Sequence, residues 1–228
     1  MRTVIHEIEK FRDQRYLFQD RFEAGEILAG MLKPAYAHIE EGMVLAVPAG
    51  GVPVGIQVRD ILGLSFDLII VRKLKIPGNP EAGFGAMTLD GTTFLNESLL
   101  AVLRLRDSQI EAEKARVRSE LVNRNARFRG SRPFPDLAGK KVILVDDGLA
   151  SGFTMLAAVD MVKKAGARET VVAVPTAPLR TIERISAEVD QIFCPNIRTA
   201  YSFAVAEAYR HWHDLDEKEV QTLLTLQR

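Results

Sequence analysis

Two adjacent acids, Asp146 and Asp147, close the apolar run Val142 to Val145, and a loop of small and hydroxyl residues follows: Gly148, Leu149, Ala150, Ser151, Gly152, Phe153 and Thr154. Carboxylates at the carboxyl end of a strand can accept hydrogen bonds from vicinal hydroxyls, as on a ribose. Gly148 and Gly152 let backbone N–H groups approach a phosphate closely and permit positive φ. Ser151 and Thr154 can add hydroxyl donors. The apolar periodic segment from Gly152 predicts a helix whose positive end faces the anion. A sugar phosphate satisfies all of these groups at once.

Two upstream stretches could serve the same ligand. Pro48-Ala49-Gly50-Gly51 lies between the strand-like run Met43 to Val47 and the helical stretch Val52 to Leu62. A double glycine there fits an anion site at a helix amino end, although by itself a plain turn is the better reading. Arg72, Lys73 and Lys75 follow a second buried-strand pattern, Phe66 to Val71. They could neutralise a polyphosphate or form a solvated charge cluster. The next loop, Ile76 to Gly85, includes Pro77-Gly78-Asn79-Pro80-Glu81-Ala82-Gly83 and has the punctuation of a mobile flap. Phe84–Leu89 and Thr92–Leu95 flank Asp90-Gly91, a hairpin signal.

The elements that must hold these residues alternate. Residues 1–40 read as an amphipathic helical region, with Phe18, Phe22, Ile27, Leu28, Met31 and Leu32 at helical spacing and Pro34 near its end. Residues 97–129 read as one long helix whose arginines are interleaved with Asp107, Glu111, Glu113 and Glu120, the pattern of a solvated, paired surface. A linker, Ser131 to Gly139, leads into the strand before the acidic pair. A helix to Ala165 capped by Gly166, a strand Thr170–Val174, a helix Leu179–Ala187 and a strand Val189–Phe193 follow. The tail carries Tyr201, Phe203, Tyr209 and Trp212 and an acidic helix from about Asp214. This alternation predicts an α/β fold with a doubly wound, largely parallel sheet.

Composition limits the alternatives. The 228 residues are 47% hydrophobic, which suits one domain with a small subdomain. Lys+Arg and Asp+Glu both number 30, and this balance argues against nucleic acid as the partner. The lone Cys194 permits no internal disulfide and reads as a small apolar filler in a cytoplasmic protein. Met1 to Glu7 shows no apolar signal core, and no apolar run approaches the roughly 20 residues of a membrane span. Phe153 stands where a nucleotide-binding P-loop needs Lys, and neither glycine loop has the G-x-G-x-x-G dinucleotide pattern. His211 and His213 lack further metal-ligand partners in the sequence.

Residues 142–154, Val-Ile-Leu-Val-Asp-Asp-Gly-Leu-Ala-Ser-Gly-Phe-Thr, closely resemble the signature of the type I phosphoribosyltransferases. The resemblance covers roughly residues 15–200. The tail is similar to that of a bacterial and archaeal subgroup with poorly defined substrates. It implies an enzyme that moves the 5-phosphoribosyl group of 5-phosphoribosyl-1-pyrophosphate (PRPP) to a nitrogenous base with Mg²⁺. Asp146 and Asp147 would hold the ribose hydroxyls and meet the metal through PRPP or water, and Gly148 to Thr154 would clamp the 5′-phosphate. Ala49, Gly50 and Gly51 resemble the pyrophosphate loop, with a cis peptide expected at Ala49–Gly50. Arg72, Lys73 and Lys75 resemble the catalytic loop and would meet the departing pyrophosphate. One domain, residues 1–228, would divide into a core of about 40–195 and a hood over the base built from about 1–35 and 196–228. Tyr201 and Phe203 are the stacking candidates for that base. Ala150 replaces the Asp that 6-oxopurine enzymes use as general base, which disfavours hypoxanthine or guanine. A homodimer is expected by the same resemblance. A PRPP-sensing regulator on the same fold is the rival reading.

Overall fold

The computed structural model describes residues 3–226, with the backbone alone at Pro80 and Glu81; Met1 and Arg2 lie outside the described residues. The elements run β1 (Val4–His6), α1 (Arg21–Tyr36), β2 (Gly42–Ala46), α2 (Gly51–Leu62), β3 (Ser65–Leu68), β4 (Val71–Ile76), β5 (Asn79–Thr88) and β6 (Thr93–Leu95). They continue with α3 (Glu97–Leu103), α4 (Asp107–Arg129), β7 (Lys141–Val145), α5 (Phe153–Lys164), β8 (Glu169–Ala173), β9 (Thr176–Pro178), α6 (Leu179–Ser186), β10 (Gln191–Phe193), β11 (Asn196–Arg198) and α7 (Glu217–Leu226).

Six strands form one sheet in the order β1-β10-β8-β7-β2-β3, and every neighbouring pair is parallel. This is the expected doubly wound α/β sheet. Alternation along β7 explains why both faces are covered. Val142 and Leu144 enter the core shared with Met155, Leu156, Val159 and Val162 of α5 and Ile182 and Ile185 of α6. Ile143 and Val145 enter the opposite core, shared with Leu28 and Leu32 of α1 and Val54 and Val58 of α2. With both faces buried, the strands read as continuous apolar runs. Among the described residues, no helix is long and apolar enough to cross a membrane.

Several expectations need correction. Residues before Asp20 form no long helix: β1 joins the edge of the sheet beside β10, and α1 begins only where Asp20 caps it by accepting from the N–H groups of Phe22 and Glu23. Phe18 instead makes a bridge with Tyr209 and packs in a small cluster with Ala24, Ala208 and Tyr209. The strand expected over Phe66–Val71 ends at Leu68, and Val71 starts β4 in a separate three-stranded antiparallel sheet, β4-β5-β6. Arg72, Lys73 and Lys75 therefore lie within a strand, and the expected flap is mostly the hairpin of β4 and β5, turning at Pro77-Gly78. The Asp90-Gly91 hairpin is present, with Met87 opposite Thr93. The long helix is broken between α3 and α4, where Arg104 takes a left-handed φ of 49°. Short β9 and β11 pair with each other beyond the carboxyl ends of β8 and β10, an extension too brief to leave a periodic signal.

Candidate functional site

The acidic pair lies at the carboxyl end of β7, between β2 and β8 near the middle of the sheet. Asp146 turns a carboxylate oxygen, Oδ1, back onto the N–H of Asp147 at 2.9 Å, which fixes the turn out of the strand. Burial, reinforced by the neighbouring Asp147, pushes the Asp146 carboxyl well above the usual carboxylate range. Burial also raises Asp147, against the downward pull of Arg21. Two acids held this far from water favour a ligand that brings positive charge or donor hydroxyls.

Arg21 left no signal in the sequence. Its guanidinium, on the first residue of α1, donates from Nε to Asp147 Oδ2 at 2.8 Å and from Nη1 to the His213 carbonyl at 3.0 Å. It stacks on Trp212, 3.9 Å from the ring centroid, and its side chain is only 7% exposed. The Tyr209 hydroxyl donates to the Asp147 carbonyl at 2.5 Å. The tail is thus tied to the acidic pair from two sides.

The loop before α2 meets the same pair. A Cβ on Gly50 would stand 1.9 Å from Asp147 Oδ2, and one on Gly51 would stand 2.7 Å from the Val145 carbonyl oxygen. Only glycine permits this approach, so Gly50 and Gly51 lie against Asp147 and Asp146. The cis peptide is at Pro48–Ala49, one bond before the expected Ala49–Gly50. Gly50 already has φ −62° and ψ −34°, and the Gly51 N–H reaches back to the Val47 carbonyl at 3.0 Å, so helical backbone begins at Gly50.

Gly148 to Thr154 forms the third wall. The Leu149 side chain is buried in the core, and its N–H donates to the Thr176 carbonyl at 3.0 Å, so this residue anchors the loop. Ala150 and Ser151 are exposed at the crest, and their carbonyls accept from Thr181 and from Arg184 of α6, each at 2.6 Å. Tying the carbonyls outward leaves the loop's other edge for its N–H groups. Gly152 has φ 81°, and no side chain caps α5, so first-turn N–H groups at Phe153 and Thr154 are available to an anion. Val205 of the tail covers Gly148: an added Cβ there would meet its Cγ1 at 2.6 Å.

The remaining predicted residues make other contacts. Arg72 Nε points to Glu120 of α4 at 3.4 Å, and Arg72 lines a pocket with Asn123, Arg124, Arg127 and Glu217. The backbone N–H of Lys75 donates to Glu113 at 2.7 Å, and the Lys73 stem passes Gly83 on the facing strand. Tyr201 is 95% exposed, and Phe203 is partly buried beneath Arg198, 5.9 Å away. Cys194 is fully buried, and burial pushes its thiol up, away from reactivity.

Comparison with known proteins identifies the family and the fold. The relative Rv0571c of Mycobacterium tuberculosis H37Rv, a candidate phosphoribosyl transferase, is 36% identical over 208 residues, covering 91% of this chain and 46% of its own length. The chain spans about half the length of the curated relatives it matches. The crystal structure of TT1426 from Thermus thermophilus is 37% identical with a TM-score of 0.75, over 91% of this chain and 97% of that one. A hypoxanthine phosphoribosyltransferase from Staphylococcus aureus shares the fold at 10% identity and a TM-score of 0.51, over 90% of this chain and 88% of its own. The model of the phosphoribosyl transferase domain matches residues 20–212, a span that runs from the cap of α1 through the acidic pair to Trp212, and the chain belongs to that family.

Proposed function

We propose that the protein transfers the 5-phosphoribosyl group of PRPP to a nitrogenous base and releases pyrophosphate. The observation that carries this reading is the meeting of three walls: a partly buried acidic pair, a glycine turn pressed against it, and an uncapped helix end beside it. Asp146 and Asp147 accept the ribose hydroxyls. The N–H groups and hydroxyls of residues 148–154 hold the 5′-phosphate, and Ala49 to Gly51 face the pyrophosphate. As the bond at ribose C1 breaks, positive charge grows on the sugar ring beside two carboxylates, and negative charge on the leaving group. Groups already in place for that charge lower the barrier without reorganising. Tyr201 and Phe203 of the tail are the residues we assign to stack on the base, from the family resemblance alone. Ala150 offers no general base, which disfavours hypoxanthine and guanine.

The acidic pair suits Mg²⁺ in one respect only. Carboxylate oxygens are hard donors, but among the described residues no group of three or more His, Cys, Asp or Glu forms a metal cage. Asp146 and Asp147 would therefore hold the ion together with substrate oxygens or water, where it would neutralise pyrophosphate charge. A homodimer and a cytoplasmic location belong to the same proposal.

Calorimetry with PRPP and Mg²⁺ tests the reading, and a folded protein that gives no heat would refute it. Asp146→Asn combined with Asp147→Asn should weaken PRPP binding with the circular dichroism unchanged. A pyrophosphate-release screen with PRPP against purine, pyrimidine and nicotinate-type acceptors then identifies the base. One observation favours the alternative of a PRPP-sensing regulator: Arg72, a candidate catalytic cation, is paired with Glu120. Tight PRPP binding with no release across the panel would support the regulator.

A further inference from the structure

We infer that Arg21 is a pyrophosphate-binding cation of the site, reaching the leaving group from α1 while it holds Asp147. The inference rests on the phosphoribosyltransferase reading and adds to it a residue from outside the signature loops. Asp147 Oδ2, the atom that Arg21 Nε reaches at 2.8 Å, is also the atom a Gly50 Cβ would strike at 1.9 Å. The guanidinium is therefore beside the Ala49–Gly51 turn as well as beside the ribose acid. Nε is used by Asp147 and Nη1 by the His213 carbonyl, while Nη2 donates to none of the described residues.

The surroundings fix the orientation of that donor. The indole of Trp212 covers one face of the guanidinium at 3.9 Å, so the side chain can bond only in its own plane. The capped first turn of α1 holds its base, with Asp20 accepting from Phe22 and Glu23. Charge favours the same conclusion. Asp146 and Asp147 would repel a pyrophosphate, and among the described residues Arg21 makes the one ion pair with them. Arg72 lies in a pocket with Glu120 and Glu217, to which neither acid nor the glycine turn contributes. An arginine fork can bond one carboxylate and one phosphate oxygen together, which a lysine ammonium does with less directional control.

Three ligands separate the possible roles: PRPP, pyrophosphate alone, and ribose 5-phosphate, which keeps the ribose and phosphate but lacks the leaving group. Binding is measured by titration calorimetry with Mg²⁺ present, and by the emission of Trp212, the only tryptophan. Arg21→Gln should weaken PRPP and pyrophosphate by about ten- to a hundred-fold, the loss of one charged hydrogen bond, and ribose 5-phosphate much less. Arg21→Lys keeps the charge and, should the glutamine variant fail to fold, carries the test: it should show the same selectivity with a smaller loss. Circular dichroism and thermal melting report folding for both. Equal losses for all three ligands would reduce Arg21 to a support for Asp147 and overturn the inference, as would no loss. Wild-type protein that binds none of the three would overturn the phosphoribosyltransferase reading itself.

Discussion

Gly50→Ala adds one methyl group at the point where the turn and the acidic pair meet. The backbone accepts alanine, because φ −62° and ψ −34° are ordinary helical values. Any effect must therefore come from the new Cβ, which would stand 1.9 Å from Oδ2 and 2.3 Å from Cγ of Asp147. These are side-chain atoms, but Arg21 holds that carboxylate at 2.8 Å and the side chain is only 13% exposed, so it cannot swing away without loss. Overpacking of this kind costs about 1–3 kcal/mol. The smaller conformational freedom of alanine in the unfolded chain offsets about 0.4–1 kcal/mol. A net loss of about 1–2 kcal/mol lowers the melting temperature of a chain this size by about 2–8 °C. The effect on the ligand should be larger in proportion. With Asp147 holding the ribose as proposed, its displacement would forfeit a charged hydrogen bond worth about 1.5–3 kcal/mol, or roughly 10–150-fold in PRPP affinity. Differential scanning calorimetry and PRPP titration measure the two effects. A variant with unchanged melting and unchanged PRPP affinity would show that Asp147 is not held against the turn.

Three further substitutions test the fold around the site. Gly30→Ala, on the exposed side of α1 where an added Cβ meets nothing within 4 Å, should stabilise the protein by about 0.5–1 kcal/mol in urea unfolding; a loss would mean the helix is not formed there. Arg129→Ala should cost about 3–5 kcal/mol in the same assay, because Nε and Nη2 each reach the Asp67 carboxylate at 2.8 Å and removal strands a buried charge. Glu169 supplies the pH test. Burial pushes its carboxyl up, but hydrogen bonds from Lys141, Tyr36 and Gln191 outweigh burial and hold it below the ordinary 4.5. A depressed folded value means the contribution is present above the unfolded value and lost as pH falls through the folded one. Glu169→Gln should flatten the fall in melting temperature on acidification below about pH 5, and an unaltered acid profile would count against the network.

The sequence was most legible where chemistry and structure are local. Val142 to Thr154 contains its own strand, turn and helix start, so the elements could be read there. The first twenty residues misled for a physical reason. Phe18 and Phe22 have helical spacing, but Phe18 is buried against Tyr209 of the tail, a partner that no local window includes. Glycine was misread in the β4–β5 hairpin. A Cβ on Gly83 would strike the Lys73 side chain at 2.3 Å, and one on Gly85 the Phe94 carbonyl at 2.5 Å. These glycines let strands approach closely, whereas punctuation alone suggested a loose loop. Arg21 was invisible because its partner, Asp147, is 126 positions away.

In the reaction proposed, the cations that would meet a departing pyrophosphate differ in what it costs to recruit them. Arg72 and Glu120 are each more than a third exposed and stand 3.4 Å apart, so their pair contributes no more than about 1 kcal/mol. A polyanion can draw Arg72 away from Glu120 against little resistance. Arg21 and Asp147 are buried, stacked and hydrogen-bonded, and separating such a pair costs about 3–5 kcal/mol. In the role proposed for it, Arg21 would act by staying in place, with its one uncommitted nitrogen directed by Trp212, while any role of Arg72 requires it to leave Glu120. The two should differ accordingly under salt. Surface pairs are screened and buried ones far less, so raising ionic strength should release Arg72 from Glu120 well before it disturbs Arg21.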